Sequence, residues 1–288
     1  MKKISLALVA MMMTVLFVFA GCGENTTSIS SDPAVVPPSD SNVSQTATDD
    51  SLQKVLDSGV LKMGLDDSFP PMGFRQEDNT IVGFDIDVAT EVAKRMGVKL
   101  EPVVVNWKAN IMELNAGNVD CLWNGFSIDE ERKEKTNLSI PYMNNRMIFV
   151  VLEKSKYDSL ASLEGKKIGL QNGSTVQKLI SNSELNGKIT QMDYEDNVTA
   201  FMDLEAGTID ALFVDEVVAD YIISQKPEGT LRKLPDGLSE EQYAIGFRKE
   251  ASDSLKNKVE ETLLEMKVDG KLAEISTKWF GKDVTTIQ

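Results

Sequence analysis

The sequence predicts an α/β protein with two similar lobes, each a mainly parallel sheet flanked by helices, and a ligand cleft between them. Strand patterns alternate with helical patterns along the folded part, which favours parallel sheets. The pattern Leu-x-Ala-Gly-x-(Val/Ile)-Asp-x-Leu occurs twice, at 114–122 and 204–212. An earlier strand in each half ends in Gly-Leu, at 64–65 and 169–170. Because ligands bind beyond the carboxyl ends of such strands, the loops that follow them are expected to line the cleft. These loops come after Leu65, Val105, Leu122, Leu170 and Val214.

Composition excludes several classes of function. The 288 residues are 42% hydrophobic and 26% charged, which suits a globular chain with two modest cores. A net charge of −15 argues against binding to nucleic acid or to anionic lipid. The absence of histidine from the sequence excludes His-based acid–base catalysis, Ser-His-Asp triads and His metal sites. With only Cys22 and Cys121, no disulfide framework or cysteine metal cluster is possible, and we expect no metal and no cofactor.

The N-terminal region has the pattern of an exported and tethered protein. Residues 1–21 carry Lys2 and Lys3 before an apolar run, which is typical of a signal peptide. The segment 19–22, Phe-Ala-Gly-Cys, resembles a bacterial lipobox, so Cys22 is the expected lipidation site and membrane anchor. An uncleaved anchor helix is the alternative. Residues 22–50 are polar and lack apolar periodicity, which predicts a disordered linker.

The first lobe is predicted to begin at residue 51 with alternating helices and strands. Leu52, Val55 and Leu56 have amphipathic helical spacing, and helical spacing recurs from Asp85 to a stop at Gly97. The remaining predicted elements are strands at 60–65 and 98–105, a short strand or turn at 81–84, and a helix opened by Asn106 and Trp107 that runs over 111–116.

Two apolar segments are predicted to cross between the lobes. Residues 146–152 form the first crossing strand, and residues 243–248 form a strand that returns to the first lobe. Two helices then follow, one with an apolar stripe at Leu255, Val259, Leu263 and Met266 and one over 271–279. Lobe 1 is therefore expected to comprise 51–146 and 241–288, and lobe 2 to comprise 147–240, with the crossings acting as a hinge.

Residues 119–132 are the stretch that best indicates a ligand. A short buried strand at 119–122 is followed by Ser127, which is predicted to begin a helical turn, and by acidic residues that favour a helix N-terminus. Free backbone N–H groups at such a turn bind anions. Arg132 is spaced to turn back over Ser127, and its guanidinium can grip a carboxylate with two hydrogen bonds. The segment suits a small carboxylate, and a capped helix with a solvated arginine is the alternative.

A series of short motifs then identifies a family resemblance. Together they resemble the extracytoplasmic solute-binding proteins of polar amino acid ABC importers, over roughly residues 55–282. This resemblance implies a periplasmic-binding-protein fold, an extracytoplasmic location, and partnership with permease subunits in the membrane. In chain order, the motifs lie at 64–71, 82–87, 124–132, 141–142, 165–169, 173–175, 210–215 and 278–281.

The resemblance also implies roles for individual residues. Arg132 should hold the ligand α-carboxylate with backbone N–H groups at Ser127 and Thr175, and Asp215 should hold the α-ammonium with help from Gly125 and Ser127. Because Arg132 and Asp215 belong to opposite lobes, a zwitterion that bridges them favours closure. Phe69 and Trp107 should sandwich the ligand side chain, and Asp66 should reach its polar end. The matching motifs also place Asn124, Phe126 and Ser174 in the site.

Alternatives remain open at this point. Phe69 and Trp107 can be core residues, and Asp215 can be only a helix N-cap. An enzyme on the same fold, such as a cyclic-acid dehydratase, and an amino acid sensor are the competing functions. Lys108 and Asn110 depart from the family, which often has an acidic and a small or apolar residue there. We expect a monomer that binds a polar amino acid, such as arginine, lysine, histidine, glutamine or cystine, rather than leucine or glutamate.

Overall fold

The computed structural model describes residues 48–288; the predicted signal peptide, the Cys22 lipidation site and nearly all of the linker lie outside these residues. The helices predicted around 52–56, 85–97, 111–116, 255–266 and 271–279 are present close to those positions. None of the described helices combines the length and apolar character that crossing a membrane requires. The α-helices are α1 Ser51–Ser58, α2 Phe84–Arg95, α3 Asn110–Asn115, α4 Glu130–Lys135, α5 Val176–Ser181, α6 Asn197–Ala206, α7 Glu216–Ser224, α8 Asp253–Val268 and α9 Lys271–Phe280, with 3₁₀ turns at Trp107–Ala109 and Ala161–Leu163.

Most strands belong to one large sheet, and three short ones form a separate small sheet. The small sheet contains β2 Ser68–Phe69, β3 Gly73–Arg75 and β4 Ile81–Val82. The large sheet contains β1 Val60–Leu65, β5 Lys99–Val104, β6 Cys121–Ser127, β7 Thr136–Leu138, β8 Met143–Leu152, β9 Lys167–Gln171, β10 Thr190–Tyr194, β11 Ala211–Asp215 and β12 Leu231–Arg248.

Strand direction separates the two lobes within the large sheet. In lobe 1, β5, β1 and β6 are parallel neighbours, and in lobe 2, β10, β9 and β11 are parallel neighbours. The crossing strands β8 and β12 are antiparallel neighbours of each other. Strand β8 is also antiparallel to β11, and β12 is also antiparallel to β6. The prediction of a mainly parallel sheet in each lobe is therefore confirmed, and the crossing strands join the two sheets into one.

The repeated sequence pattern corresponds to a repeated structural contact. In lobe 1, Asp120 Oδ2 accepts the Lys62 N–H at 2.8 Å, and the Asp120 N–H donates to the Lys62 carbonyl at 2.9 Å. In lobe 2, Asp210 makes the same two bonds with Lys167, at 2.9 and 2.8 Å. Each aspartate thus ties the turn before one strand to the beginning of the neighbouring strand.

The glycine of each Gly-Leu pair allows the same two elements to approach closely. A Cβ atom at Gly64 would lie 3.1 Å from the Val119 side chain, and one at Gly169 would lie 2.7 Å from the Ile209 side chain. Val119 and Ile209 occupy the same position of the repeated pattern. The repeated sequence pattern therefore corresponds to the same packing arrangement in each lobe.

Within residues 48–288, buried apolar residues form three clusters, whereas the composition suited two modest cores. One cluster continues along one face of the sheet and includes Met63 in lobe 1 and Leu212 in lobe 2. The opposite face carries a separate cluster in each lobe, around Leu122 and Phe213 respectively. Continuity of the sheet through the crossing strands explains the shared cluster.

The strand leading to Arg132 is longer than predicted. Strand β6 continues through Ser127, and helix α4 begins at Glu130 with Asp129 as its N-cap. The prediction that Ser127 begins the helical turn is therefore wrong, because Phe126 and Ser127 pair with β12 and belong to the strand. Fewer amides are free at this turn than predicted: the Ile128 N–H donates to the Gln242 carbonyl at 2.8 Å, and Asp129 accepts the Arg132 N–H at 2.7 Å.

Candidate functional site

The loops at the carboxyl ends of the strands of both lobes converge on one small cavity. Its volume is about 10 Å³, close to that which one water molecule requires. Nine of the eleven residues predicted to bind ligand line it, together with one residue that was not predicted, Gln171. Asp66 and Phe126 lie behind the lining. The lining residues are Phe69, Trp107, Asn124, Gly125, Ser127, Arg132, Gln171, Ser174, Thr175 and Asp215.

Arg132 is a buried cation held in place by carbonyl groups. Its guanidinium donates to the Ser127 carbonyl at 2.8 Å, which confirms that the side chain turns back over that residue. It also donates across the cleft to the Gly173 carbonyl at 3.2 Å, and its Cζ lies 4.0 Å from the centroid of the Phe126 ring. Burial lowers the pKa of Arg132, but a guanidinium remains charged in proteins. The positive charge therefore remains available to an anionic ligand.

Asp215 is a buried carboxylate supported by both crossing strands. Its Oδ1 accepts hydrogen bonds from Asn145 Nδ2 in β8 at 2.7 Å and from the Tyr243 hydroxyl in β12 at 2.6 Å. Although Asp215 occupies the N-cap position of α7, its side chain makes no capping bond, so it is not only an N-cap. Burial raises its pKa to about 7, while the hydrogen bond from Tyr243 and the charge of Arg132 oppose that rise. A ligand ammonium beside Asp215 would lower this pKa again.

Two aromatic side chains line the cavity, and a third lies behind them. Phe69 and Trp107 are 5% and 7% exposed, so each belongs to the core and also lines the cavity. Phe126 lies behind them, and its ring meets the Trp107 ring edge to face with centroids 6.1 Å apart. Phe126 therefore supports Trp107 and Arg132 rather than lining the cavity.

Asp66 of lobe 1 and Gln171 of lobe 2 connect the two lobes at the far end of the site, where the end of the ligand side chain is expected. Gln171 Nε2 donates to Asp66 Oδ2 at 2.6 Å, and Asn197 Nδ2 donates to Gln171 Oε1 at 2.8 Å. Burial raises the pKa of Asp66 to about 6, although hydrogen bonds from Ser68 and Gln171 oppose the shift. Sequence reasoning missed Gln171 itself, although the loop after Leu170 was predicted to line the cleft. Its position after the second Gly-Leu pair, equivalent to Asp66 after the first, was the available signal.

The first-lobe floor of the site depends on a buried carboxylate that was not predicted. Asp85 is fully buried, and its Oδ2 accepts the Gly125 N–H at 2.9 Å and the Tyr142 hydroxyl at 3.0 Å. Gly125 has φ +57°, and a Cβ there would lie 2.7 Å from the Phe69 ring, so only glycine fits. Nearby, Asn124 Oδ1 accepts the Asp66 N–H at 3.1 Å. These bonds fix the backbone that faces the cavity.

The second-lobe loop over 173–175 completes the enclosure. The Ser174 hydroxyl donates to the Gln171 carbonyl at 2.8 Å, and Thr175 is 6% exposed at the start of α5. Within residues 48–288, no cluster of three acidic or cysteine side chains is arranged to hold a metal ion. The site therefore combines a cation and a carboxylate from opposite lobes with an aromatic wall.

Comparison with known proteins gives a consistent result. The family profile of bacterial extracellular solute-binding proteins, family 3, matches residues 61–282. The L-cystine-binding protein TcyJ of Escherichia coli strain K12 is 31% identical over 237 residues, covering 81% of this chain and 87% of the relative.

Solved structures agree with that match. The structure of Tv2483 bound to L-arginine has a TM-score of 0.79 at 32% identity and covers 83% of this chain and 98% of that one. A substrate binding protein of an ABC uptake transporter from Streptococcus pneumoniae, with bound histidine, has a TM-score of 0.76 at 33% identity and covers 82% and 98%. Each of these proteins is similar to this chain over nearly its whole folded part.

Proposed function

Because the chain belongs to the bacterial extracellular solute-binding proteins of family 3, we propose that it holds a polar amino acid between its lobes and delivers it to an ABC importer permease. The proteins to which this chain is similar bind amino acids rather than catalyse reactions, and this chain is likewise a binding protein. The observation that carries the proposal is that Arg132 and Asp215, from opposite lobes, line the same cavity.

In this proposal each of the two charged side chains binds one of the α-groups of the ligand. Arg132 holds the carboxylate with backbone N–H groups at Ser127 and Thr175, and Asp215 holds the ammonium with Gly125 and Ser127. A zwitterion then completes its contacts only when the lobes are closed. A ligand that prefers the closed state by about 10⁴-fold, or about 5.5 kcal/mol, converts a mostly open population into a mostly closed one.

The ligand side chain is proposed to be polar and to carry a donor at its end. Phe69 and Trp107 offer aromatic surfaces, which attract cations by about 0.5–2 kcal/mol. Asp66 supplies a buried carboxylate at the far end of the site, and Gln171 donates a hydrogen bond to one of its oxygens. A glutamate side chain would place a like charge there, and leucine would desolvate Asp66 without adding a hydrogen bond to those from Ser68 and Gln171. The cystine, arginine and histidine ligands of the similar proteins fit this description.

The α-group roles can be tested by calorimetry on two variants. A thermal-shift screen of the common amino acids and cystine, on protein refolded to remove bound ligand, first identifies the ligand. Arg132→Met and Asp215→Asn should then each weaken its binding by tens-fold or more, since breaking a buried charge pair costs about 2–5 kcal/mol. Arg95→Met, which removes an arginine remote from the cavity, is the control. A variant at either position that binds like the parent would disprove that role, and a response to glutamate alone would disprove the proposed ligand class.

The tethering of the protein is a separate proposal. We propose that Cys22 becomes the lipidated N-terminus, on the basis of the lipobox-like segment 19–22 and the polar linker behind it. Cys22→Ser should move the protein from the detergent-requiring membrane fraction to the soluble fraction, and continued membrane retention would contradict the proposal. We also propose that the protein is a monomer, which light scattering after size-exclusion chromatography can test.

A further inference from the structure

Lys108 and Asn110 lie at a second cavity that adjoins the proposed amino acid site. This cavity, here called the mouth groove, has a volume of about 490 Å³. It shares Arg132, Ser174 and Thr175 with the smaller cavity. Its walls come from α3 and α4 of lobe 1 and from the loop and helix at 173–178 of lobe 2. The groove is therefore formed by both lobes.

The mouth groove is positively charged, although the chain as a whole is strongly acidic. It contains four cationic and two anionic side chains, whereas the whole chain has a net charge of −15. The charged residues of the groove are Lys108, Arg132, Lys135, Lys178, Asp129 and Glu131.

The ion pairs within the groove leave part of this positive charge uncompensated. Lys135 pairs with Glu131 at 2.6 Å, and Lys178 lies 3.9 Å from Asp129 in a long contact. Among residues 48–288, Lys108 takes part in no ion pair. A local excess of one charge sign within a concave site attracts ions of the opposite sign.

Asn110 adds a buried hydrogen-bonding group without a partner. Its side chain is 5% exposed and lines the groove, yet its Nδ2 forms no hydrogen bond within the described residues. Buried polar groups are almost always paired, so an orphaned amide calls for a ligand or another partner. The Nδ2 atom has almost no exposed surface where it lies, so the amide must turn for Nδ2 to reach the groove, and this turn breaks no hydrogen bond of Nδ2.

We propose that the mouth groove is a second ligand site, which binds a small oxyanion such as phosphate or a carboxylate. Lys108 and Asn110 supply donors from lobe 1, and Lys178 supplies a cation from lobe 2. Opening the lobes separates Lys108 from Lys178, so an anion that contacts both binds the closed arrangement better. A ligand with such a differential affinity shifts the population toward closure. The site requires no amino acid in the adjoining cavity.

The probe for this site is inorganic phosphate, titrated into the full chain with sodium chloride adjusted to hold ionic strength constant. Phosphate should raise the unfolding temperature saturably and should lower the radius of gyration measured by small-angle X-ray scattering. Lys108→Gln and Lys178→Gln, one from each lobe, should each weaken the apparent phosphate affinity by at least fivefold. Asn110→Asp, which keeps the shape but adds a like charge, should weaken it further.

Lys99→Gln is the matched control. Lys99 is an exposed lysine at the amino end of β5, the end of the sheet opposite the cleft, and its replacement changes the net charge equally. Its phosphate affinity should equal that of the parent. A parent that responds no more to phosphate than to chloride at equal ionic strength would overturn the proposal. Equal losses in Lys99→Gln and Lys108→Gln would also overturn it, since they would show general charge screening.

Discussion

Replacing Gly173 with alanine should weaken amino acid binding by opposing lobe closure, without removing a ligand contact. The loop of lobe 2 at Gly173 lies directly against the lobe 1 backbone of Trp107 and Lys108. A Cβ atom at Gly173 would lie 2.5 Å from the Trp107 carbonyl oxygen and 2.6 Å from the Lys108 Cα. Because both neighbours are backbone atoms, neither can move aside without displacing the segment between β5 and α3.

The size of the effect follows from this overlap. Ordinary contacts between carbon and a carbonyl oxygen begin at about 3.3 Å, so the two lobes must separate locally by several tenths of an ångström. Forcing an extra carbon into a packed contact costs about 1–3 kcal/mol. This cost falls on the closed state alone. At 1.4 kcal/mol for each tenfold change, binding should weaken by about 5- to 150-fold.

The backbone strain at the same position must be measured separately. Gly173 has φ +78°, where a side chain costs about 1–2 kcal/mol in either lobe arrangement. Gly187→Ala is the matched control, because Gly187 lies in the same lobe with φ +71° and a Cβ there meets nothing within 4 Å. Both variants should lose similar stability to denaturant, but only Gly173→Ala should lose affinity in calorimetry. Affinity equal to the parent for Gly173→Ala, or an equal loss for Gly187→Ala, would refute the reasoning.

Three further predictions concern groups that support the site. Tyr243→Phe removes one donor to Asp215, so the pKa of Asp215 should rise further above about 7 and the affinity measured by calorimetry at pH 7 should fall. Burial raises the pKa of Asp85 from 3.8 to about 7, so the free energy of unfolding should decrease as pH rises through that interval. Asp85→Asn should flatten this dependence in denaturant titrations between pH 5 and pH 8. Gln171→Ala removes the 2.6 Å hydrogen bond between the lobes and so disfavours the closed state, and the radius of gyration at a half-saturating amino acid concentration should increase.

Elements with strong periodicity could be predicted from the sequence because local spacing determines them. The apolar stripe at Leu255, Val259, Leu263 and Met266 indicated α8, and all four side chains are buried. The predicted strand at 60–65 coincides with β1 because its boundaries carry clear turn signals. Most residues that the family resemblance assigned to the site line one cavity, since the carboxyl ends of parallel strands share one edge.

Features that depend on pairing across distant segments could not be predicted. Strand β6 extends to Ser127 only because β12, over a hundred residues later, pairs with it there. The hydrogen bonds of Asn145 and Tyr243 to Asp215 likewise require the crossing strands to lie beside β11. No spacing within any one of these segments specifies that arrangement.

The cross-lobe contact between Asp66 and Gln171 shows how the internal repeat bears on specificity. Each residue follows the Gly-Leu pair of its own lobe, so the repeat places both at equivalent strand ends. Because the lobes face each other across the cleft, these equivalent ends meet, and two carboxylates there would repel. The amide of Gln171 instead donates to Asp66 and leaves one negative charge at the end of the site. With burial raising the pKa of Asp66 only to about 6, that carboxyl is mostly ionised at pH 7 and accepts rather than donates. We therefore propose that a ligand side chain at this end donates to Asp66 beside the Gln171 amide, which favours guanidinium, ammonium, imidazole or amide groups over carboxylates and hydrocarbons.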